Sequence, residues 1–283
     1  IQDLSRLGKC SLTAAIPVLS VMGVQAVPLP TAVLSNQTGY PSYYCDNYTE
    51  HMEQIMDDWE KRGFSPDGIY TGFLADGRQA DKAVEFIEQF AKEDTKILID
   101  PVMGDNGEEY PIYTEALCEK MRFLVRRATV ITPNLTEALL LLYGAQRAHV
   151  LWKELSLMDE ERLLRFTEST GKELSKEFDT EVVITGIDLP ARENHQEIGN
   201  LICQDGNMTW VTAAKEGGSY SGTGDLFASV LSAGMVKGID TVDSVHRAVK
   251  FLAKGIHDAV VEGTDRNEGI CFERYLSELA AEN

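Results

Sequence analysis

The chain has 283 residues, with 26 Lys and Arg against 45 Asp and Glu for a formal net charge of −19. That length suits one large domain or two small ones, and 43% apolar residues supply a sizeable core, which excludes a disordered chain. A pI near 4.6 argues against gripping nucleic acid or an anionic membrane through the global field, so an anionic ligand needs local backbone N–H groups or a metal.

Between Cys10 and Cys45 there is no charged residue, and Thr13 to Leu34 is long enough to span a bilayer. Gly23, Pro28 and Pro30 interrupt it and Gln25 sits inside, so a soluble reading is preferred. It has a buried helix ending at Met22-Gly23, a strand through Val24–Leu29, and a polar loop Ser35-Asn36-Gln37-Thr38-Gly39. Residues 50–62 look helical and lead to an apolar strand at Asp67–Thr71. Ala80, Ala83, Val84, Ile87, Phe90 and Ala91 mark one face of the next helix. Lys96–Asp100 is a short apolar run ending in an acid, the pattern of a buried parallel strand. A helix near Thr114–Arg127, a strand at Thr129–Thr132 and a Leu-rich helix after Asn134 follow. A charged helical region around Asp159–Lys176 precedes the strand Glu181–Thr185. Strands near 197–203 and 207–213 flank Asp205-Gly206-Asn207, a hairpin-type turn, and helices near 223–237, 242–261 and 271–281 finish the chain.

This alternation predicts one α/β domain with a mainly parallel sheet covered on both faces, whose ligands bind at the carboxyl ends of the strands. Five dispersed cysteines (Cys10, Cys45, Cys118, Cys203, Cys271), with no CxxC pair, argue against a disulfide framework or zinc site and for a reducing compartment. Asn-x-Thr sequons at Asn36, Asn47, Asn134 and Asn207 matter only in a secreted chain, and no signal peptide is visible, so a cytoplasmic location is expected. The chain opens at Ile1 without Met, and the start of the first strand is expected to precede it. His51, His149, His195, His246 and His257 show no metal spacing and no Ser or Cys partner; they read as surface or helix residues.

Three segments can carry chemistry. Gly217-Gly218-Ser219-Tyr220-Ser221-Gly222-Thr223-Gly224-Asp225 opens a helix, so glycines that permit close backbone approach meet free N–H groups and a helix dipole. That makes an anion site, unlike a Walker loop or a GxGxxG fingerprint. Asp225 in the first helical turn either caps the helix or acts as a base. Asp100-Pro101-Val102-Met103-Gly104-Asp105-Asn106-Gly107 places two acids on a strand-end loop, which either hold a hard cation or end the strand in an ordinary turn. In Thr132-Pro133-Asn134-Leu135-Thr136-Glu137, the glutamate faces the same cation or simply favours its helix start. Cys10 opens a helix and on its own reads as a buried thiol.

Together these segments, with Ile1-Gln2-Asp3 and Ser35-Asn36-Gln37-Thr38-Gly39-Tyr40, resemble the pyridoxal kinase family of the ribokinase-like superfamily, in family order and over nearly the whole chain. The GTGD motif belongs to the wider superfamily, whereas DPVMGD with SNxTGY is more specific to vitamin B6 kinases. The resemblance implies a single ribokinase-like domain over residues 1–283, a three-layer α/β/α fold, and transfer of the ATP γ-phosphoryl group to the 5′-hydroxymethyl of pyridoxal, pyridoxamine or pyridoxine. It implies Asp225 as base, with N–H groups of Gly222, Thr223 and Gly224 stabilising the transferring oxygens. Asp105 and Glu137 match positions near Mg²⁺, Asp100 and Thr132 a monovalent-cation (K⁺) neighbourhood, and Asn134, Thr185, Gly186 and Thr223 the nucleotide side. Asp3, Cys10, Thr38 and Phe73 match the pyridine-ring side, and Tyr110 a lid residue that excludes water. Relatives are commonly homodimers.

The chain departs from many relatives where Asp3 replaces Ser, Phe73 replaces Tyr, and Ser11-Leu12 replaces a Gly-Asn pair. Its Ile-Gln-Asp start resembles proteins called pyridoxamine kinases in anaerobic bacteria, which points to pyridoxamine as a preferred substrate. The rivals are a hydroxymethylpyrimidine kinase of thiamine synthesis, whose Gly-rich, Gln-Ala-Asp-containing first helix region Gly8-Lys9-Cys10-Ser11-Leu12 does not resemble, and a non-catalytic B6-binding protein.

Overall fold

The computed structural model describes residues 1–155, 157–192 and 195–281, with side chains for all of these except 190–192, 195 and 281. Short apolar runs form the central strands β1 (Gln2–Ser5), β2 (Pro30–Leu34), β4 (Gly68–Thr71), β5 (Lys96–Ile99), β8 (Val130–Ile131) and β9 (Glu181–Arg192). A short β3 (Cys45–Asn47) pairs antiparallel with β2, and β10 (His195–Gln204) and β11 (Asn207–Ala214) continue the other edge antiparallel. The pairing order is β11-β10-β9-β8-β5-β4, with β4, β5, β8 and β9 parallel; β1 and β2 are parallel in the group β1-β2-β3. The two groups meet where Gly72 N–H donates to the Ile1 carbonyl.

Alternation along the strands sorts the core into two layers. Ile69, Ile97, Ile99, Ile131, Val182 and Ile184 point to one face. There they pack on α2 (Thr49–Lys61), α3 (Gly77–Phe90), α4 (Glu115–Val125), α5 (Leu135–Leu155) and α6 (Glu160–Phe178). Tyr70, Leu98, Val130 and Val183 point to the other, against α1 (Ser11–Val21), α7 (Thr223–Val236), α8 (Thr241–Glu262) and α9 (Leu276–Ala281). Side-chain oxygens of Asp76, Thr114, Asp159 and Asp240 accept N–H bonds at the starts of α3, α4, α6 and α8. At α1 and α7 the residue at the helix start supplies no side-chain cap, so the first N–H groups are left for partners from elsewhere.

The expected elements are present with two differences. The strand read at Val24–Leu29 lies instead at Pro30–Leu34, where Thr31, Ala32 and Leu34 are buried; Pro28 cannot donate to a ladder, whereas Pro30 sits at a strand's first position. The Leu-rich helix is kinked at Gly144, with φ 70° and ψ 171°. Asp205 (φ 50°) and Gly206 (φ 79°) form the expected tight hairpin turn. Among the described residues no helix is long and apolar enough to cross a membrane.

Candidate active site

The glycine-rich segment before α7 abuts the start of α1. Gly222 has φ +81°, and a Cβ there would stand 1.9 Å from the Lys9 carbonyl oxygen, so only glycine lets the two helix starts approach. Gly224 is exposed and a Cβ there would meet nothing within 4 Å; its open side leaves room for a ligand. The N–H groups of Thr223 and Gly224 have no intrahelical partner, and the Thr223 hydroxyl donates to the Tyr220 carbonyl at 3.0 Å.

Asp225 sits just inside this turn. Burial pushes its carboxyl up to about 7; the Ser11 N–H, donating to it, opposes that shift, and Asp3 adds to it. A carboxyl near 7 is suited to take a proton from an alcohol at neutral pH. Asp3, 4% exposed at the end of β1, is raised mainly by burial, while hydroxyl donors on Ser11 and Ser5 lower it; the Ser5 hydroxyl donates to Asp3 Oδ2 at 2.7 Å. Cys10 lies beside both acids, and burial with their charges pushes its thiol up to about 12, leaving an inert buried thiol. Asp3 also acts on Cys45 of β3, and Cys10 on Tyr40, so β1, the start of α1, β3 and the loop before it lie within electrostatic reach of one another.

Of the acids in the other two segments, Asp100 lies within electrostatic reach of Asp225, and Glu137 within reach of Asp100 and Asp105. Asp100, at the end of β5, is raised by burial and then by the charge of Asp225. The buried Thr132 hydroxyl makes no hydrogen bond of normal length, yet it faces Asp100 and partly offsets that shift. Glu137 is raised well above the ordinary range by burial and by Asp100. Its two oxygens accept from the Met103 N–H at 3.1 Å and the Asn134 N–H at 2.9 Å, while Asn134 Oδ1 accepts from the Glu137 N–H at 3.0 Å. That reciprocal pair is a capping box. The loop is held further by Asn134 Nδ2 donating to the Gly104 carbonyl at 2.8 Å and Gly107 N–H donating to Thr136 at 2.9 Å. Asp105, on the small hairpin β6 (Gly104–Asp105) and β7 (Glu108–Glu109), is raised by burial and relieved by its Asn106 N–H bond and by Arg266. Tyr110 is 39% exposed, but its hydroxyl feels Glu137, Asp105, Asp100 and Asp225 together, and burial with those charges raises it.

Asn134 and Thr185 form a parallel bridge beside this loop, and Gly186, at φ +69°, donates its N–H to Asn200 Oδ1 at 3.2 Å. Thr38 is exposed, and Phe73 contributes its carbonyl to the Thr31 hydroxyl at 3.0 Å; among the described residues no side-chain hydrogen bond or ion pair joins either to the acids. The loop bearing Thr38 is fixed by Gln37, whose amide donates to Asn267 Oδ1 at 2.9 Å and accepts from Gly39 N–H at 2.6 Å. Gln37, Ser11, Cys45 and Arg266 are site residues that the sequence reading did not select. His149 stands 3.3 Å from Glu109, with Glu108 close by, an approach invisible in sequence spacing; the side chain of His195 lies outside the described residues.

The arrangement combines free N–H groups for an anion, a half-buried base, and the carboxylates of Asp100, Asp105 and Glu137 within electrostatic range of one another. Among the described residues, the set of three ligand atoms within 4.8 Å of each other is instead Glu108, Glu109 and His149. Among the described groups acting on these acids, Arg266 beside Asp105 is the single cation. Carboxylates of this kind are the oxygen donors that a hard cation accompanying a phosphate takes.

The profile of the phosphomethylpyrimidine kinase family matches residues 11–269. A Bacteroides thetaiotaomicron protein, provisionally named a phosphomethylpyrimidine kinase and crystallised with pyridoxal, superposes with a TM-score of 0.84 at 35% identity, over 98% of this chain and 93% of that one. The pyridoxal kinase of Lactobacillus plantarum superposes with a TM-score of 0.84 at 26% identity, over 100% of this chain and 95% of that one. A Schizosaccharomyces pombe protein, provisionally named a pyridoxal kinase, is 26% identical over 276 residues, covering 91% of this chain and 82% of its own.

Proposed function

Because the chain belongs to the phosphomethylpyrimidine kinase family, and within it to the pyridoxal kinases, we propose that it phosphorylates the 5′-hydroxymethyl group of pyridoxal, pyridoxamine or pyridoxine with ATP, salvaging pyridoxal 5′-phosphate. The observation that carries this reading is Asp225: a half-buried carboxyl raised to about 7, one residue past glycines whose N–H groups are free, with Asp3 close enough to act on it.

Asp225 accepts the proton of the acceptor hydroxyl as its oxygen attacks the terminal phosphorus in line. The N–H groups of Gly222, Thr223 and Gly224 stabilise charge on the transferring oxygens. Asn134, Thr185 and Gly186 lie on the nucleotide side; Asp3, Cys10, Thr38 and Phe73 lie on the ring side, where Asp3 accepts hydrogen bonds from a ring substituent. Tyr110 covers the reacting atoms and excludes water. Asp105 and Glu137 would hold Mg²⁺, and Asp100 with Thr132 K⁺; bound there, the ions neutralise phosphate charge in a protein at −19. The single domain works as a cytoplasmic homodimer.

Coupled ADP-release kinetics with ATP, Mg²⁺ and each of the three vitamers, with and without K⁺, tests the reading. Hydroxymethylpyrimidine belongs in the same panel, because the family profile carries the name of that chemistry. Turnover of a vitamer above hydroxymethylpyrimidine is expected. Preference for the pyrimidine would move the protein to thiamine synthesis, and tight vitamer binding without ADP release would make it a carrier.

A further inference from the structure

Thr38 lies in the loop between β2 and β3, and the residue before it anchors that loop. Gln37 is 7% exposed; its N–H donates to the Leu7 carbonyl at 3.0 Å, and its Oε1 accepts from the Gly39 N–H at 2.6 Å. A backbone N–H can only donate, so the Gly39 contact fixes which end of the Gln37 amide is oxygen and leaves Nε2 to donate elsewhere. It donates to Asn267 Oδ1 at 2.9 Å, across 230 residues of chain. A Cβ on Gly39 would stand 2.6 Å from the same Asn267 oxygen, so glycine lets the loop close on it.

Asn267 belongs to the 3₁₀ turn Arg266–Glu268, where its own N–H donates to Asp265 Oδ1 at 2.8 Å. Its neighbour Arg266 accepts the Ser221 N–H on its carbonyl at 2.9 Å, and Ser221 is the residue before Gly222. Lys9, whose carbonyl Gly222 approaches, donates Nζ to the Ile270 carbonyl at 3.0 Å, just past the same turn. One short turn thus holds the loop around Thr38 with a side chain and the glycine turn before α7 with a backbone carbonyl. These two segments serve different substrates in the reading above.

Resting on that kinase reading, we propose that Asn267 is a positioning residue that sets the acceptor-side loop, through Gln37, at a fixed place relative to the glycine turn that faces the phosphate. It touches no reacting atom; it acts by holding Gln37 and Gly39, and so the backbone on either side of Thr38. The nucleotide side depends instead on the Arg266 carbonyl, which survives any change of side chain at position 267. Gln37 requires only an oxygen there, so aspartate can replace Asn267 and alanine cannot.

The test uses Asn267→Ala, Asn267→Asp, Gln37→Ala and the double variant Gln37→Ala with Asn267→Ala. Asn267→Ala is expected to weaken vitamer binding in calorimetry and raise the acceptor KM by about 3–10-fold, the scale of one lost hydrogen bond, with the ATP KM unchanged. Asn267→Asp should restore the acceptor KM to within about twofold of wild type, because it keeps the oxygen that Gln37 needs. In the Gln37→Ala background, a further Asn267→Ala should change the acceptor KM little, since the partner is already gone. Wild-type acceptor affinity in Asn267→Ala, no rescue by Asn267→Asp, or an undiminished Asn267→Ala defect beside Gln37→Ala would overturn the proposal. So would both KM values rising together with a fall in melting temperature, which is the mark of a general structural contact. Wild-type protein that binds a vitamer but releases no ADP would instead overturn the kinase reading, while the calorimetric affinities still decide the role of Asn267.

Discussion

Asp100, buried just after β5, and Asp225, half-buried in the first turn of α7, lie within electrostatic range of each other, and the charge of Asp225 is the largest influence on Asp100 after burial itself. Two like charges with low-dielectric surroundings hold protons that free carboxylates would release. For Asp225 the folded-state value is about 7 against 3.8 without the fold. A group raised in this way stabilises the fold fully below the lower value and loses that contribution as pH rises through the upper one. In chelator, the melting temperature should therefore fall between pH 5 and 8. Asp100→Asn removes one of the two charges, so its curve should be flatter and lie above wild type at pH 8. Added Mg²⁺ should raise the wild-type melting temperature more at pH 8 than at pH 6, because a cation competes with protons for the same oxygens. Parallel curves for wild type and variant would show that the pair does not share this burden.

Asp225→Asn tests the base directly. The amide keeps an oxygen to accept the Ser11 N–H, so the melting temperature and ATP affinity should stay near wild type. Turnover should drop at least ~10²-fold, the scale of losing a general base. In wild type, kcat/KM should climb through a pH of about 7, the value to which burial brings Asp225. Near-normal ADP release by the variant would remove Asp225 from its role.

How much of this was legible before folding depends on the kind of signal. Lys96–Ile99 and Gly68–Thr71 are apolar runs between polar breakers, and their place in the sheet follows from composition. β3 is Cys-Asp-Asn with every residue exposed, so nothing in its polarity marks a strand; it exists because β2 offers an edge. The Asn134–Glu137 capping box could be read from its spacing, but that Glu137 also takes the Met103 N–H required the loop after β5 to fold back over α5. Ser11 carried no local sign, because a positive φ is announced by Gly, Asn or Asp and seldom by Ser.

Gly222 and Gly224 look equivalent in the motif and should respond differently. At Gly222 an alanine Cβ meets the Lys9 carbonyl at 1.9 Å on a backbone with φ +81°, so Gly222→Ala should cost roughly 2–4 kcal/mol of stability and abolish turnover with it. At Gly224 the Cβ enters open space. Gly224→Ala should fold normally and raise the ATP KM by obstructing the phosphate side. Equal melting temperatures for the two variants would contradict the packing of α7 against the start of α1.

Glu137 combines a clamp with a place among the acids, and the two can be separated. Its carboxylate supplies one oxygen to Met103 N–H and one to Asn134 N–H, tying the loop that bears Asp105 to the start of α5. Gln has a single acceptor oxygen, so Glu137→Gln must leave one of those buried N–H groups facing an NH₂ group, at a cost of about 1–3 kcal/mol. That loss should appear in chelator, where no divalent ion is present to be lost. Amide hydrogen exchange at Met103 or Asn134 should then speed by about tenfold or more, while Leu98, buried within β5, changes only by the global stability difference. If both amides kept wild-type protection and the cation-free melting temperature did not move, the clamp would be refuted and Glu137 would act through the cation alone.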